Sequence, residues 1–394
     1  MYKRQVVPRG AGTGEAGGAA AIDGALVLSL AGMDQILEVH PEDQVAVVEP
    51  GVINAELSVA ARPSGLRYAP DPGSHEISTL GGNIATNAGG FRCAKYGPTR
   101  NAVLGLDVVT GEGKRLRLGR RALKGVTGYD LTSLFTGSEG TLGVIVGATL
   151  RLTPLPVGPE VTTAAFFRTF DAAVGAVSQV LAAGHVPTVC EIVDEATLSS
   201  IDEWKGTDYT EAGRALVLLQ FDQDALASRS PVEAALRGAG ATEVLATTDP
   251  AEARLLMDVR RLALPAAERH GQVLVEDVVV PRSQLGRMVA ETERIAQETG
   301  VPIFTVGHAA DGNLHPTLVY PRGLDGVPAE VDAAAERIFR FALGCGGTLT
   351  GEHGIGTVKQ RFLREELGED VAEYQARIKA VFDPAGVMNP GKAV

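Results

Sequence analysis

Hydrophobic and polar positions follow different patterns before and after a proline-rich segment, TPLPVGPE (153–160), which predicts a linker or domain boundary. Before it, short runs of β-branched residues and leucine alternate with Gly, Pro and Asn turns, a pattern that predicts short strands. The clearest runs are ALVLSL (25–30), QVAVVEP (44–50), LGLDVVTG (104–111) and LGVIVGATLRL (142–152).

After the proline-rich segment, apolar strands alternate with amphipathic helices in two rounds. The first round has strands at 162–167, 187–193, 215–221 and 242–247 and helices at 171–184 and 231–240. The second has strands at 273–281, 301–307, 315–320 and 347–351 and helices at 283–300 and 330–344. Each round reads β-α-β-β-α-β, the ferredoxin-like order, which predicts an α+β protein with two such units in one antiparallel sheet. Between the rounds, residues 251–271 have helical periodicity, which Pro265 is expected to interrupt.

Composition and charge narrow the class of protein. A chain of 394 residues allows two or three domains, and its 45% of apolar residues excludes intrinsic disorder. No run approaches the roughly 18 apolar residues that a membrane-spanning helix needs. The net charge of −12 argues against a general nucleic-acid binder. The three cysteines form no CxxC and the MYKRQVV start lacks an apolar signal region, so a reducing cytoplasm is expected.

Three glycine-rich segments lie in the first 145 residues. PRGAGTG (8–14) suits a phosphate cradle, although by itself it is equally a glycine-rich turn. PDPGS (70–74) leads into TLGGNIATNAGG (79–90), which we interpret as a loop whose amides and low bulk suit a planar heterocycle with a pyrophosphate tail. GSEGTLGVI (137–145) is a third segment of this type.

Histidine and glutamate occur together in two glycine-framed segments. In GHAADGNLH (307–315), His308 ends one predicted strand and His315 begins the next, so a hairpin would bring the two rings together. TGEHGIG (350–356) adds Glu352 and His353. A single histidine near a turn is usually an ordinary polar residue, but two His and one Glu are a common divalent-metal set, which leaves the other His as a candidate base.

Two basic segments have alternative interpretations. Arg260 and Arg261 lie in an apolar helical run; the pattern favours a surface pair, and a bidentate clamp on a substrate carboxylate is the alternative. KRLRLGRRALK (114–124) is typical of a solvated strand-and-turn face, with contact to a partner or an acidic lipid as the alternative.

The order of these motifs resembles one family over residues 6–394. The motifs are PRGAGTG, PDPGS, LGGNIATNAGG, GYDLTSLFTGSEGTLGVI, GHAADGNLH, GEHGIG and FDPAGVMNPGK. The chain resembles the FAD-linked 2-hydroxy acid dehydrogenases and oxidases of the vanillyl-alcohol oxidase/p-cresol methylhydroxylase superfamily, in the branch of D-lactate dehydrogenase, the glycolate oxidase FAD subunit and D-2-hydroxyglutarate dehydrogenase.

This resemblance implies a PCMH-type FAD-binding domain at 1–155. It also implies an FAD-linked oxidase C-terminal domain at 156–394, with a ferredoxin-like substrate region and a C-terminal helical segment returning to the flavin. The residues that it assigns to FAD are Arg9, Gly10, Ala11, Gly12, Thr13, Gly14, Pro72, Gly73, Ser74, Thr79, Gly81, Gly82, Asn83, Thr86, Asn87, Gly90, Glu139, Gly140, Gly143, Val144, Ile145 and Asn389.

The resemblance also implies the chemistry. His308, His315 and Glu352 match ligands of a divalent metal, expected to be Zn, Fe or Mn, and His353 matches the catalytic base. Arg260 matches the arginine that holds the substrate carboxylate, which reverses the interpretation from the pattern alone. The expected reaction is oxidation of a D-2-hydroxy acid, such as D-lactate or D-2-hydroxyglutarate, or of glycolate to the 2-oxo acid. The electron acceptor stays open among quinone, cytochrome, a partner flavoprotein and oxygen.

Three departures from the family pattern lead to further expectations. The short MYKRQ lead-in implies an N-terminally truncated FAD-binding domain that retains FAD weakly. Glu15 and Ala16 stand where the family commonly has an apolar residue and a serine, and a carboxylate there is unfavourable beside a pyrophosphate unless it turns to solvent. Thr13 stands where covalent relatives carry a histidine, so FAD is expected to bind non-covalently.

Several alternatives remain open at this point. An inactive or assembly-only relative is one alternative function, and a non-haem metal oxygenase is another. Association with further subunits or with the inner face of the membrane is an alternative to a purely cytoplasmic enzyme.

Overall fold

The computed structural model describes residues 4–393. Residues 1–3 of the MYKRQ lead-in, and Val394, lie outside the described residues. The chain forms two compact units. The first contains the described residues up to Leu155 and those from Glu352 onward, and the second contains Pro156–Gly351.

The first unit is built on a five-stranded antiparallel sheet in the order β3-β4-β8-β6-β7, with a parallel pair β1-β2 and an antiparallel pair β5-β9. Its strands are β1 Val6–Arg9, β2 Leu26–Ser29, β3 Ile36–His40, β4 Val45–Val48, β5 Leu66–Arg67, β6 Val103–Thr110, β7 Arg115–Gly119, β8 Gly143–Arg151 and β9 Thr153–Pro154. Its helices before residue 155 are α1 Asn54–Ala61, α2 Leu80–Thr86, α3 Cys93–Tyr96 and α4 Leu131–Phe135.

The helix α2 corrects the prediction of a loop at 79–90. The Thr79 side chain caps the helix by accepting a hydrogen bond from Gly82 N, and Asn87 ends it in the left-handed conformation. Leu80 and Ile84 are buried in the core of the unit. The low helix propensity of the glycines is why composition alone indicated a loop. Burial of this apolar face outweighs that propensity, so the helix forms.

The second unit is one antiparallel sheet in the order β13-β10-β12-β11-β16-β17-β14, with β15 beside β17. Its strands are β10 Val161–Phe167, β11 Val189–Val193, β12 Ala215–Phe221, β13 Glu243–Thr247, β14 Gln272–Val275, β15 Val278–Val279, β16 Ile303–His308 and β17 Asn313–Tyr320. Its helices are α5 Phe170–Ala182, α6 Glu195–Lys205, α7 Tyr209–Ala212, α8 Ala225–Gly238, α9 Pro250–Glu268, α10 Leu285–Thr299 and α11 Ala329–Gly344. This order confirms the first ferredoxin-like round and that the two rounds join in one sheet, through β11 and β16, while the second round lacks its fourth strand.

Several details of this unit differ from the prediction, including α6 and α7, which were not predicted. Residues 347–351 are not a strand; Thr348 makes only an isolated bridge to Val279. The strand predicted at 273–281 is divided into β14 and β15. α9 continues through Pro265 to Glu268 because its buried face, which includes Val259 and Ala263, packs in the core and offsets the lost backbone hydrogen bond.

The chain ends in the first unit. The helix α12, Leu363–Phe382, is broken at Gly368, where the backbone leaves the helical conformation. Phe382 packs edge-on against Phe135 at a centroid distance of 5.1 Å, which fixes the returning segment to the core of this unit. Within the described part of the chain, no helix has both the length and the hydropathy needed to cross a membrane.

Candidate active site

A β-hairpin in the second unit brings His308 and His315 together, as predicted from their positions. β16 ends at His308, and the register pairs His315 with Val306 two residues earlier, so both imidazoles lie on the same face of the sheet. The ring centroids are 5.2 Å apart with an interplanar angle of 84°. Both residues are buried. The hairpin therefore presents two imidazoles in one enclosed place.

A glutamate that the sequence interpretation missed lies beside them. Glu191 on β11 is the register partner of His308 and has no exposed side-chain surface. Its Oε1 lies 2.5 Å from His308 Nδ1, and its Oε2 accepts a hydrogen bond from Arg260 Nε at 2.8 Å. Burial acts to raise the pKa of Glu191, but the adjacent His308 ring and the Arg260 guanidinium outweigh it and hold this pKa below its usual range. The signal in the sequence was a single carboxylate inside an otherwise apolar strand, VCEIV.

The two adjacent arginines of α9 point to different surroundings. The Arg260 side chain is only 15% exposed and reaches Glu191, whereas that of Arg261 is 64% exposed and pairs with Asp258 one turn earlier. α9 packs against the apolar core above the sheet. Its helical period therefore turns one arginine toward the sheet and the next toward solvent. The pattern-based expectation of a surface pair is wrong for Arg260 and holds for Arg261.

A second buried carboxylate that the sequence interpretation missed is Asp277, between β14 and β15. Its Oδ1 accepts a hydrogen bond from Asn313 Nδ2 at 2.6 Å, and lies 3.8 Å from His315 Nδ1. Its Oδ2 accepts hydrogen bonds from Thr350 Oγ1 and from Gly351 N. Asp277 thus connects Asn313, the first residue of β17, to Thr350 and Gly351, the last two residues of this unit. Glu352 is the next residue along the chain.

Glu352 and His353 belong to the first unit. The Glu352 carboxylate packs against Gly89: a Cβ at that glycine would lie 2.2 Å from Oε2. His353 Nδ1 lies 3.3 Å from Glu15 Oε2, in a side chain that is 54% exposed. Two residues after His353, the main-chain N–H groups of Ile355 and Gly356 donate to the two carboxylate oxygens of Glu139 at 2.8 and 2.9 Å. Burial raises the pKa of the Glu139 carboxyl above its usual range despite these hydrogen bonds.

The glycine-rich segments of the first unit also meet one another. Gly10 lies against Thr79, since a Cβ at Gly10 would be 2.2 Å from Thr79 Oγ1. Past the end of α2, Glu139 N donates to Ala85 O. The three segments predicted to bind the cofactor are therefore neighbours in this unit. Of the other predicted contacts, Pro72, Gly73 and Ser74 form a turn, Gly90 follows α2, Gly143 starts β8, and Ile145 packs in the core.

Asn389 joins this group from the C-terminal segment. Its Nδ2 donates to Glu139 O at 2.7 Å and to Gly18 O at 2.9 Å. Among the described residues, its buried Oδ1 has no hydrogen-bond partner. A buried acceptor of this kind costs free energy unless a donor binds it. It therefore suits a ligand that carries an N–H or O–H group.

Comparison with known families gives two matches along this chain. A family described as FAD linked oxidases, C-terminal domain, matches residues 159–393, and a family described as FAD binding domain matches residues 1–119. Together they cover both units and the glycine-rich segments, apart from the segment at 137–145, which falls between them.

Individual relatives agree with these matches. Glycolate oxidase subunit GlcD of Bacillus subtilis (strain 168) is 40% identical, over 99% of this chain and 84% of its own length. The probable mitochondrial D-lactate dehydrogenase of Danio rerio is 36% identical, over 100% of this chain and 80% of its own length. The solved structure of p-cresol methylhydroxylase with substrate bound has a TM-score of 0.79 at 17% identity, covering 99% of this chain and 84% of that one, which shows a shared fold.

Proposed function

We propose that this chain, which belongs to the family of FAD-linked oxidases, oxidises a D-2-hydroxy acid or glycolate to the 2-oxo acid and passes a hydride to FAD. The observation that carries the proposal is the buried contact of Glu191 with both His308 and Arg260. It holds a metal-binding side chain and a carboxylate-binding side chain next to each other. A 2-hydroxy acid presents its hydroxyl and carboxylate on adjacent carbons, so it matches such a pair. Relatives named glycolate oxidase subunit and D-lactate dehydrogenase act on this class of compound.

The first unit has the features that a bound FAD requires. Glycine-rich segments around residues 10 and 79 allow close approach of main-chain N–H groups to a pyrophosphate. The buried Oδ1 of Asn389 could accept a hydrogen bond from the flavin ring. Thr13 offers no imidazole for a covalent link, so we propose non-covalent binding. When bound, FAD supplies the hydride acceptor.

The donor set fits a divalent metal such as Zn²⁺, Fe²⁺ or Mn²⁺. We propose that Glu352 completes the site with His308 and His315, because two imidazoles and a carboxylate suit these ions. His308 Nδ1 faces Glu191, so Nε2 is the nitrogen that would bind the ion. A metal in this site would act as a Lewis acid that lowers the pKa of the substrate hydroxyl.

The chain's own residues then carry out the remaining steps. The Arg260 guanidinium binds the substrate carboxylate and fixes which face of the 2-carbon is presented. His353 takes the hydroxyl proton as a general base. The alcohol loses this proton and, as hydride, the hydrogen on its 2-carbon, and becomes the 2-oxo acid. A quinone, a cytochrome, a partner flavoprotein or oxygen would accept the two electrons from bound FAD. We further propose that the enzyme is cytoplasmic. We also propose that it assembles with other subunits, because the name of the Bacillus relative describes that protein as a subunit.

Anaerobic flavin reduction tests the proposal directly. Purified protein reconstituted with FAD should lose its flavin absorbance on addition of D-lactate, glycolate or D-2-hydroxyglutarate, and keep it with L-lactate, the matched control of opposite hand. Denaturation and filtration should release the colour if FAD is non-covalent, and elemental analysis should find a divalent metal. FAD-loaded, metal-loaded protein that none of the three acids reduces would contradict the proposed function.

A further inference from the structure

We propose that Glu191 is a positioning residue that holds the metal-binding imidazole of His308 and the substrate-binding guanidinium of Arg260 in one fixed arrangement. The roles given to these two partners rest on the proposed function. The contacts themselves do not rest on it, because they are seen in the structure, between residues of the second unit. A single carboxylate would then set both metal affinity and substrate affinity.

The geometry assigns each oxygen of Glu191 to one partner. Oε1 lies 2.5 Å from His308 Nδ1 and Oε2 accepts from Arg260 Nε at 2.8 Å. The carboxylate has no exposed surface, so water does not compete for either contact. Its place is fixed by the sheet, because β11 and β16 pair Glu191 with His308 in register. Charge-assisted hydrogen bonds of this length in a buried place are strong and directional.

These contacts orient both partners. A carboxylate beside Nδ1 favours the imidazole tautomer with the proton on Nδ1, which directs the Nε2 lone pair to a metal. Arg260 has a planar guanidinium, so a hydrogen bond at Nε also fixes the direction of its two terminal nitrogens. The distance between the metal and the carboxylate-binding group is thereby set by one residue rather than by two independent side chains.

Asp277 makes a useful contrast. It lies 3.8 Å from His315 Nδ1 and bonds to Asn313, Thr350 and Gly351. None of these four residues is an arginine. Its loss is therefore expected to weaken metal binding without the change in substrate KM that the loss of Glu191 should cause.

The test compares Glu191→Gln, Glu191→Asp and Asp277→Asn with the parent. Glutamine keeps one acceptor oxygen and turns an NH₂ group toward the other N–H donor. Zn²⁺ affinity, measured by competition with a chromogenic chelator, should fall about 10- to 100-fold in Glu191→Gln. The KM for the preferred 2-hydroxy acid should rise about tenfold or more, because the negative charge that pairs with the guanidinium is removed. FAD content should not change. Aspartate retains the charge and both oxygens, so it should recover part of both losses.

Asp194→Asn is the matched control. Asp194 is also a buried carboxylate next to β11 and β16, but it accepts hydrogen bonds from Thr197 N and Thr305 N and caps α6. This variant should lose thermal stability and keep the parental Zn²⁺ affinity and KM. If Glu191→Gln behaves in the same way, or if Gln and Asp lower the two affinities equally, Glu191 is only a structural residue and the inference is wrong.

Nitrogen-15 NMR of the metal-free protein separates this inference from the proposed function. The proton of His308 should be found on Nδ1 in the parent and should lose its strong hydrogen-bond shift in Glu191→Gln. A parent that shows this signature but neither binds metal nor oxidises any of the acids would refute the proposed function and leave the positioning intact. A parent with no proton on Nδ1 would refute the positioning itself.

Discussion

Buried carboxylates serve different partners in the two units. In the first unit, Glu139 accepts hydrogen bonds from two main-chain N–H groups beside the candidate base His353. In the second, Glu191 contacts two charged or polar side chains, those of His308 and Arg260. Glu139 thus positions a loop through its main chain, whereas Glu191 positions two individual side chains. A unit that binds its ligand through main-chain atoms needs glycine and close packing, whereas one that binds through side chains needs buried counter-charges.

The largest expected effect is at the proposed general base, His353, which precedes the main-chain N–H groups that donate to Glu139. His353→Ala should lower kcat for the 2-hydroxy acid about 10²- to 10⁴-fold, because proton removal by a positioned base is lost. Flavin binding should not change, since the loop still donates its N–H groups to Glu139. Stopped-flow reduction of the bound flavin measures this step. Near-parental flavin reduction would show that another group is the base.

The adjacent arginines of α9 test whether the second unit binds its ligand through side chains. Arg260 is the residue tested, and Arg261 is its control. Arg260→Lys should raise KM for the acid about 10- to 100-fold, because an ammonium group cannot reproduce the planar guanidinium contacts. Arg261→Lys should leave KM unchanged, since that side chain is exposed and pairs with Asp258. Equal KM values for the two variants would remove Arg260 from the substrate site.

Gly89 tests the close packing of the first unit. In Gly89→Ala, the new methyl group would occupy the position of a Glu352 carboxylate oxygen, 2.2 Å from the Cβ. Displacement of this ligand by about 1 Å should lower metal affinity and turnover by up to about 100-fold. Gly32→Ala is the control, because a Cβ at Gly32 meets no atom within 4 Å. Metal content after dialysis is the measurement, and parental content in Gly89→Ala would argue against Glu352 as a ligand.

Glu139 itself should give a smaller change. Glu139→Gln leaves one of the two loop N–H groups facing an NH₂ group, and a buried donor without an acceptor costs about 1–3 kcal/mol. We expect FAD affinity and kcat to fall about tenfold or less, because the other hydrogen bond survives. Glu49→Gln, whose carboxylate accepts one N–H from Gln35, is the control. Fluorescence titration with FAD measures the affinity. Identical titrations for both variants would show that the loop does not depend on Glu139.

Much of this arrangement could be predicted from local sequence. Alternation of strands and helices indicated the doubled ferredoxin-like sheet, and the DGN turn between two strands indicated the histidine hairpin. Glu191 and Asp277 could not be found in this way. Their partners lie 117 and 69 residues away for Glu191, and 36, 73 and 74 residues away for Asp277. Such pairing depends on strand register, which a single sequence does not reveal.

The other errors concern individual helices. Glycines in α2 and Pro265 in α9 oppose helix formation by propensity, yet both helices form because each buries an apolar face. The helix α6 was not predicted, although Asp194 caps it by accepting a hydrogen bond from Thr197 N. Packing energy from distant residues decides these segments, and it outweighs preferences of a few tenths to a few kcal/mol per residue.

The last expected effect concerns stability alone. It involves a third buried carboxylate, Asp194, whose hydrogen bonds to Thr197 N and Thr305 N join secondary-structure elements. Burial raises the pKa of Asp194 from 3.8 to about 6. Since the folded state then binds the proton more tightly than the unfolded state, stability is greatest below pH 3.8 for this group and falls as the pH rises to about 6. The contribution lost is on the order of 3 kcal/mol at most. Urea unfolding at several pH values should show this decline in the parent and a flatter profile in Asp194→Asn. Equal slopes in the two proteins would mean that the pKa of Asp194 is the same in the folded and unfolded states, because its hydrogen bonds to Thr197 N and Thr305 N fully offset its burial.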